Sequence, residues 1–333
     1  MISWIRRIRR KYSELTGLKK ALLLGATVFI LWICGILDKA REEDFTEFEW
    51  PRISNQDPIN SHFMQLPTCR LDNDAFKLMI LIKSSSKNRQ MRDSVRRTWG
   101  SYRVVDKVQI MPVFIVGRVK NSEVMRRIDE ESEENKDMLI ISAIDSYRNN
   151  TFKVPKLRNP IQFTTIQLFA ALDYAGNPKD CVLPDFSFLV DDDYMVHIPN
   201  LIKFLKTKRK HDLVYEGFVF DTSPFRLKLH KHSISLEEYP YSRYPPYVSA
   251  GAVFLTSVTV ERFRNTMRQL KMFPFDDVFT GILAKSVGVP TTHNENFIFW
   301  SRHVTRTEWD EGVIAAHGYA RKSLEDEYNQ LFG

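Results

Sequence analysis

An apolar run that ends in three consecutive aspartates is the feature that most constrains this chain. Residues 186–190 read Phe-Ser-Phe-Leu-Val, and Asp191, Asp192 and Asp193 follow before the sequence becomes apolar again. Such a run predicts a buried strand, at whose end adjacent carboxylates repel one another and lose hydration. A divalent cation such as Mg²⁺ or Mn²⁺ removes both problems because it prefers oxygen ligands. The alternative is a solvated acidic turn, which the apolar flanks disfavour.

Strand and helix patterns alternate on both sides of this predicted strand. Strand patterns occupy residues 76–82, 108–116 and 138–141, and helix patterns occupy residues 90–99, 124–135 and 161–174. This alternation predicts an α/β fold with a mixed, mainly parallel sheet flanked by helices. Ligands of such sheets bind beyond the carboxyl ends of the strands, where the aspartates lie. The sequence has no Walker or Rossmann glycine motif, which argues against P-loop and dinucleotide enzymes.

Positive charge is concentrated at the N-terminus. The net charge is +7, and residues 1–20 carry seven Lys and Arg against one Glu, so the remaining chain is nearly neutral. That distribution argues against a nucleic-acid partner. Residues 21–37 are apolar and uncharged, which predicts a transmembrane signal anchor, with a cleaved signal peptide as the alternative. Basic residues before the span place the N-terminus in the cytosol and the bulk of the chain in the lumen. The shortness of the span favours the thinner membranes of the early secretory pathway.

Four regions follow from these patterns. Residues 38–74 are polar and contain three prolines, so we interpret them as a lumenal stem. The regions are a cytosolic basic tail at 1–20, the transmembrane anchor at 21–37, the stem at 38–74 and the catalytic domain at 75–333.

Cysteine usage and one sequon agree with a lumenal domain. Cys34 lies in the predicted anchor, so Cys69 and Cys181 are the only lumenal pair available for a disulfide. Two free buried thiols are the alternative. Asn149 begins an N-x-S/T glycosylation sequon, which is accessible to glycosylation only under this topology.

Several segments together resemble the β-1,3-galactosyltransferase family, which is glycosyltransferase family 31 with the GT-A fold. FLVDDD at 188–193 resembles the strand and D-x-D element of such enzymes. Further similar segments are RDSVRRTWG at 92–100, VFIVG at 113–117, DSYRNNTFK at 145–153, YPPYVSAG at 244–251 and DDVFTG at 276–281. The resemblance covers roughly residues 76–320, with the motifs in order.

The resemblance implies a metal site and a nucleotide site. Strand alternation places Asp191 and Asp193 on one side, with Asp192 facing ribose or structure. The family pattern makes Asp193 the first metal ligand, with Asp191 beside it and His317 completing the site. On local sequence alone, His317 is an ordinary structural histidine. Basic groups in the family motifs are expected to meet the diphosphate or organise the site: Arg92, Arg96 and Lys153.

The resemblance also implies a separate base, Asp277. Inversion at the sugar carbon needs a group on the face opposite the nucleotide, which takes the proton of the acceptor hydroxyl. The neighbouring Asp276 is expected to raise the pKa of Asp277 by like-charge repulsion. A pair of acids at a helix N-terminus is an equally good interpretation of the local sequence.

The expected function is therefore that of an inverting hexosyltransferase of the Golgi membrane. It would transfer galactose or N-acetylglucosamine from UDP-galactose or UDP-N-acetylglucosamine, with Mn²⁺ or Mg²⁺ as cofactor, to a glycan acceptor on protein or lipid in β-1,3 linkage. Two alternatives are an inactive lumenal sugar-binding protein and an aspartyl-nucleophile phosphohydrolase. The second normally has Thr or Val where this chain has Met195.

Overall fold

A computed structural model describes residues 16–53, 63–72, 75–145, 161–319 and 322–333. The chain forms two compact units. The first contains residues up to Phe48 together with Thr222–Arg243, and the second contains Glu49–Asp221 and Tyr244–Gly333.

The second unit is built on a large mixed sheet. Among the described residues, nine strands form this sheet: β1 (Phe63–Gln65), β2 (Phe76–Lys83), β3 (Val104–Val105), β4 (Val108–Arg118), β5 (Met138–Ile144), β6 (Phe186–Asp191), β8 (Tyr215–Phe220), β9 (Tyr247–Thr256) and β10 (Thr291–His293). Their order is β1-β5-β4-β2-β6-β9-β8-β10, with β3 on β4. Strands β5, β4, β2 and β6 are parallel, whereas β9 is antiparallel to both β6 and β8. A smaller sheet has the order β11-β12-β7, from Phe297–Ile298, Ala315–His317 and Tyr194–Val196.

Helices cover the large sheet, as the sequence predicts. The helices of the second unit are α3 (Arg89–Arg97), α4 (Ser122–Asn135), α5 (Phe163–Ala175), α6 (Ile198–Leu205), α7 (Ser257–Met267), α8 (Asp276–Val287), α9 (Arg306–Glu311) and α10 (Lys322–Phe332), and those of the first unit are α1 (Gly17–Ile33) and α2 (Ile36–Lys39). Short 3-10 helices lie at Phe45–Glu47 and Trp99–Ser101. The predicted mixed sheet flanked by helices is thereby confirmed.

Burial on both faces explains the central strands. Strand β2 reads FKLMILIK, and every residue after its first is buried, as expected for a parallel strand covered by helices on both sides. The neighbouring β6 is buried up to Val190 and becomes half-buried at Asp191. The apolar run thus ends at the carboxyl end of β6.

Part of the predicted stem packs within the second unit. Phe63 and Gln65 pair with β5, and Cys69 forms a disulfide with Cys181. The Trp50 indole N–H donates to the Lys271 carbonyl at 2.6 Å. These contacts come from isolated residues between polar ones, so hydrophobic periodicity does not reveal them.

In the first unit, residues 222–243 pack on the chain that follows α1. The Arg226 side chain donates to Glu42 at 2.7 Å and to the carbonyls of Ile234, Tyr239 and Tyr241. Gly35 has φ +74°, and a Cβ there would lie 2.3 Å from the Arg226 carbonyl oxygen. Within the ranges given above, none of the helices is long and apolar enough to cross a membrane.

Candidate active site

The three aspartates lie at the carboxyl end of β6, in the middle of the large sheet. Asp191 is in register with Lys83 at the end of β2, and its Oδ1 lies 3.0 Å from Lys83 Nζ. The Asp192 backbone N–H donates to the Lys83 carbonyl at 3.1 Å. The chain then turns into β7 at Tyr194. The carboxyl end of β6 therefore presents three adjacent carboxylates.

Strand pairing brings Asp193 to His317, 124 residues further along. Strand β7 is antiparallel to β12, with Tyr194 opposite His317. The Asp193 carbonyl accepts from the N–H groups of Gly318 and Tyr319, at 3.2 and 3.0 Å. Asp193 Oδ2 consequently lies 3.2 Å from His317 Nε2. This hydrogen bond is the main cause that raises the pKa of His317.

Asp193 and His317 have donor atoms that fit a divalent cation. Asp193 Oδ1 is buried and has no hydrogen-bond partner, and an unpaired buried carboxylate oxygen carries a large desolvation cost. In the described ranges no group of three or more acidic, histidine or cysteine side chains is arranged to hold a metal. Asp191 pairs with Lys83. The structure thus brings two of the three expected ligands together, and Asp193 Oδ1 has no hydrogen-bond partner.

Asp192 faces the loop that follows β2. Its Oδ2 accepts from Ser84 Oγ at 2.7 Å and from Asn88 Nδ2 at 3.2 Å. Burial raises the pKa of Asp192 to about 6. The Asp192 carboxylate therefore holds the loop at residues 84–88 against the sheet edge.

Lys83 links the aspartates to a second acidic motif, and sequence reasoning missed it. Its Nζ lies 2.9 Å from Asp276 Oδ2 as well as 3.0 Å from Asp191, and its side chain is only 5% exposed. Burial alone would lower the pKa of Lys83, but Asp191 and Asp276 raise it above the ordinary value. The ammonium group stays charged. The sequence signal for Lys83 is a charged residue that directly follows the apolar run from Leu78 to Ile82.

Asp277 lies next to this link, in the first turn of α8. Its Oδ1 accepts the Val278 backbone N–H at 2.7 Å, so the helix N-terminus and the acid interact as expected for a helix dipole. Burial first, and Asp276 second, raise the pKa of Asp277 to about 7. A carboxylate with such a pKa is poised to accept a proton near neutral pH.

Comparison with known proteins assigns the family. Residues 90–295 match the family model described as galactosyltransferase. A β-1,3-galactosyltransferase of Caenorhabditis elegans, bre-5, is 61% identical over 334 residues, covering 100% of this chain and 99% of its own length. The chain belongs to the galactosyltransferase family. The family resemblance expected from the motifs is thereby confirmed.

More distant relatives also align. The β-1,3-galactosyltransferase brn of Drosophila melanogaster is 31% identical and covers 91% of this chain and 92% of its own. A lactosylceramide 1,3-N-acetyl-β-D-glucosaminyltransferase of Xenopus laevis is 29% identical over 66% of this chain and 57% of its own. Relatives whose names give different sugars thus align with this chain, which is a glycosyltransferase.

Two arginines of the galactosyltransferase motifs lie in a buried ion-pair network. Arg92 is fully buried and makes a bidentate pair with Glu131, at 2.8 and 2.7 Å. It also donates to Ser84 Oγ at 3.0 Å, and Ser84 in turn donates to Asp192. Arg96 pairs with Asp137 and Glu131. Arg92 therefore supports Asp192 through Ser84, whereas the expected Lys153 and the Asn149 sequon lie outside the described residues.

Proposed function

We propose that this galactosyltransferase-family enzyme transfers galactose from UDP-galactose, or N-acetylglucosamine from UDP-N-acetylglucosamine, to a glycan acceptor on protein or lipid. The product would be a β-1,3 bond with inverted configuration. Support comes from the Asp193–His317 pair and from the half-buried acid Asp277, whose neighbour Asp276 is linked through Lys83 to Asp191. The names of the two relatives described as β-1,3-galactosyltransferases agree with this reaction.

The donor would be held at the aspartate side of the site. Asp193 and His317 would bind Mn²⁺ or Mg²⁺, with Asp191 joining them if it exchanges Lys83 for the ion. The ion would supply Lewis-acid neutralisation of the departing diphosphate. Asp192 fixes the loop at residues 84–88, and Lys153 would add positive charge toward the diphosphate. Lys83 keeps a permanent cation between two of the carboxylates, which limits their mutual repulsion before the donor arrives.

Asp277 would take the proton of the acceptor hydroxyl. As the acceptor oxygen forms its bond to the anomeric carbon, the bond from that carbon to the diphosphate oxygen breaks and the electron pair leaves with UDP. The hydroxyl proton moves to the Asp277 carboxylate. A pKa of about 7 leaves a useful ionised fraction at neutral pH while keeping the group basic enough to accept the proton.

We further infer a single-pass type II protein of the Golgi membrane with its catalytic domain in the lumen. The apolar helix α1 follows a basic N-terminus, which favours this orientation. The disulfide between Cys69 and Cys181 is typical of an oxidising compartment. Protease protection of tagged termini in sealed microsomes would test this topology; a protected N-terminus would contradict it.

The function is tested with the full chain in detergent. UDP-sugars are screened against a panel of glycan acceptors, with Mn²⁺ present and after chelation. We expect metal-dependent transfer with β-1,3 linkage, lost in Asp193→Ala and kept in Asp310→Asn, a matched change in an exposed ion pair. Absence of transfer with every donor would favour the sugar-binding alternative, and phosphate release from simple esters would favour the phosphohydrolase.

A further inference from the structure

A cluster of half-exposed aromatic rings lies beside the site and has no part in the mechanism above. We name it the aromatic platform: Phe218, Phe220, Phe299 and Trp300. Phe218 and Phe220 alternate along β8, so they share one face. Phe299 and Trp300 directly follow β11. The ring centroids of Trp300 lie 5.7 Å from Phe218 and 5.3 Å from Phe299, and Phe220 lies 4.9 Å from Phe299.

The aromatic platform contacts His317 directly and reaches the helix of Asp277 through Tyr247. At one end, the Phe299 ring stacks on His317, with centroids 6.4 Å apart and planes 15° apart. At the other end, Phe220 lies 5.7 Å from Tyr247. Tyr247 packs on Gly281, where an added Cβ would lie 2.7 Å from the Tyr247 Cβ. Gly281 lies one helical turn after Asp277 in α8. The platform therefore connects the Asp193–His317 pair with the helix of the base.

Exposure distinguishes this cluster from ordinary core packing. Trp300 is 56% exposed, and Phe218, Phe220 and Phe299 are each half-buried. Keeping large apolar rings in contact with water costs free energy, and a contiguous patch of them marks a binding surface more often than isolated residues do. The patch adjoins the reaction site, which limits its occupant to a substrate of that site.

The chemistry of the patch favours a sugar ring. One face of a pyranose carries mainly C–H groups, and these pack on aromatic rings whose faces are electron-rich. The hydroxyl groups at the ring edge remain available to water and to polar side chains. Aromatic rings supply no charge to compensate a diphosphate, so the donor's charged half is a poor occupant.

We propose that the aromatic platform is a subsite for the acceptor glycan, with one pyranose ring packed against Trp300. This inference rests on the proposed glycosyl transfer and names where its acceptor lies. Trp300 would act as a specificity-determining contact, setting acceptor affinity without taking part in bond making.

Three variants of the full chain test this subsite by kinetics. Trp300→Ala removes the ring, Trp300→Phe keeps a smaller one, and Phe225→Ala removes an exposed ring of the first unit as a matched control. We expect Trp300→Ala to raise the acceptor KM about tenfold, which corresponds to about 1.4 kcal/mol. The donor KM and the slow hydrolysis of UDP-sugar without acceptor should stay at wild-type values, and Trp300→Phe should recover most of the affinity.

An unchanged acceptor KM in Trp300→Ala would overturn the subsite, as would a donor KM raised by the same factor. Binding is also measured without catalysis, by saturation-transfer NMR with methyl β-glycosides of glucose, galactose, mannose and N-acetylglucosamine. The subsite predicts a signal for at least one glycoside that Trp300→Ala removes and Phe225→Ala keeps. Trp300-dependent glycoside binding without any transfer by the wild-type chain would refute the proposed function and leave the platform as a sugar-binding surface. Transfer with no dependence on Trp300 would refute the subsite and leave the proposed function standing.

Discussion

The Asp277→Asn variant should unfold less readily than the wild type above neutral pH. Burial and Asp276 raise the pKa of this carboxyl from 3.8 to about 7, so its ionised form is disfavoured in the folded state. Asparagine is neutral at every pH and keeps an oxygen that accepts the Val278 N–H bond. The substitution therefore removes an electrostatic cost without removing the hydrogen bond.

The magnitude follows from linkage between the two states. A raised pKa means that the folded state holds its proton to higher pH, so the stability tied to this group is present at low pH and lost as pH rises through 7. The difference of about three pKa units corresponds to about 4 kcal/mol at pH 8. At pH 5, where the folded carboxyl is protonated and the unfolded one mostly ionised, the cost falls to about 1.5 kcal/mol.

Urea unfolding of the full chain in detergent and chelator, followed by tryptophan fluorescence at pH 5 and pH 8, measures this difference. We expect the stabilisation by Asp277→Asn to be about 2.5 kcal/mol greater at pH 8 than at pH 5, while transfer activity is abolished. A matched Asp310→Asn change in an exposed ion pair should show no such pH dependence. A gain that is absent at pH 8, or equal at both pH values, would refute the argument that the pKa of Asp277 is raised in the folded state.

Three further predictions concern the metal, the central lysine and the disulfide. Added Mn²⁺ should raise the thermal midpoint of the wild type in a concentration-dependent way. Asp193→Ala should lose this shift and Asp310→Asn should keep it. An equal shift in both variants would place the ion elsewhere. Lys83→Met should lower the free energy of unfolding by about 3 kcal/mol or more at pH 8, because it leaves two carboxylates without their cation. Chemical denaturation should show a smaller loss at pH 5. An effect independent of pH would contradict the pairing. Cys181→Ser opens a disulfide between residues 112 positions apart and should cost about 4 kcal/mol or more, measured by denaturation against a reduced wild type, which should match the variant.

Local sequence determined the central strand and its acidic end. Residues 186–190 are mainly apolar and the next three are acidic. Whether a side chain is apolar or charged depends on the residue type alone, so this part of the structure could be predicted without the fold. The alternation of apolar segments likewise predicted a mixed sheet covered by helices. The family motifs added His317 and Asp277, which no local pattern would have selected.

Tertiary structure alone decided which charged groups meet. Lys83 pairs with Asp191 because β2 and β6 align in register, and with Asp276 because α8 begins at the same edge of the sheet. Arg92 and Arg96, expected to meet the diphosphate or to organise the site, pair with Glu131 and Asp137. An isolated sequence shows the charge of these side chains but not their partners. Strand register and the packing of distant segments set the distances on which ion pairing depends, and they arise only when the whole chain folds.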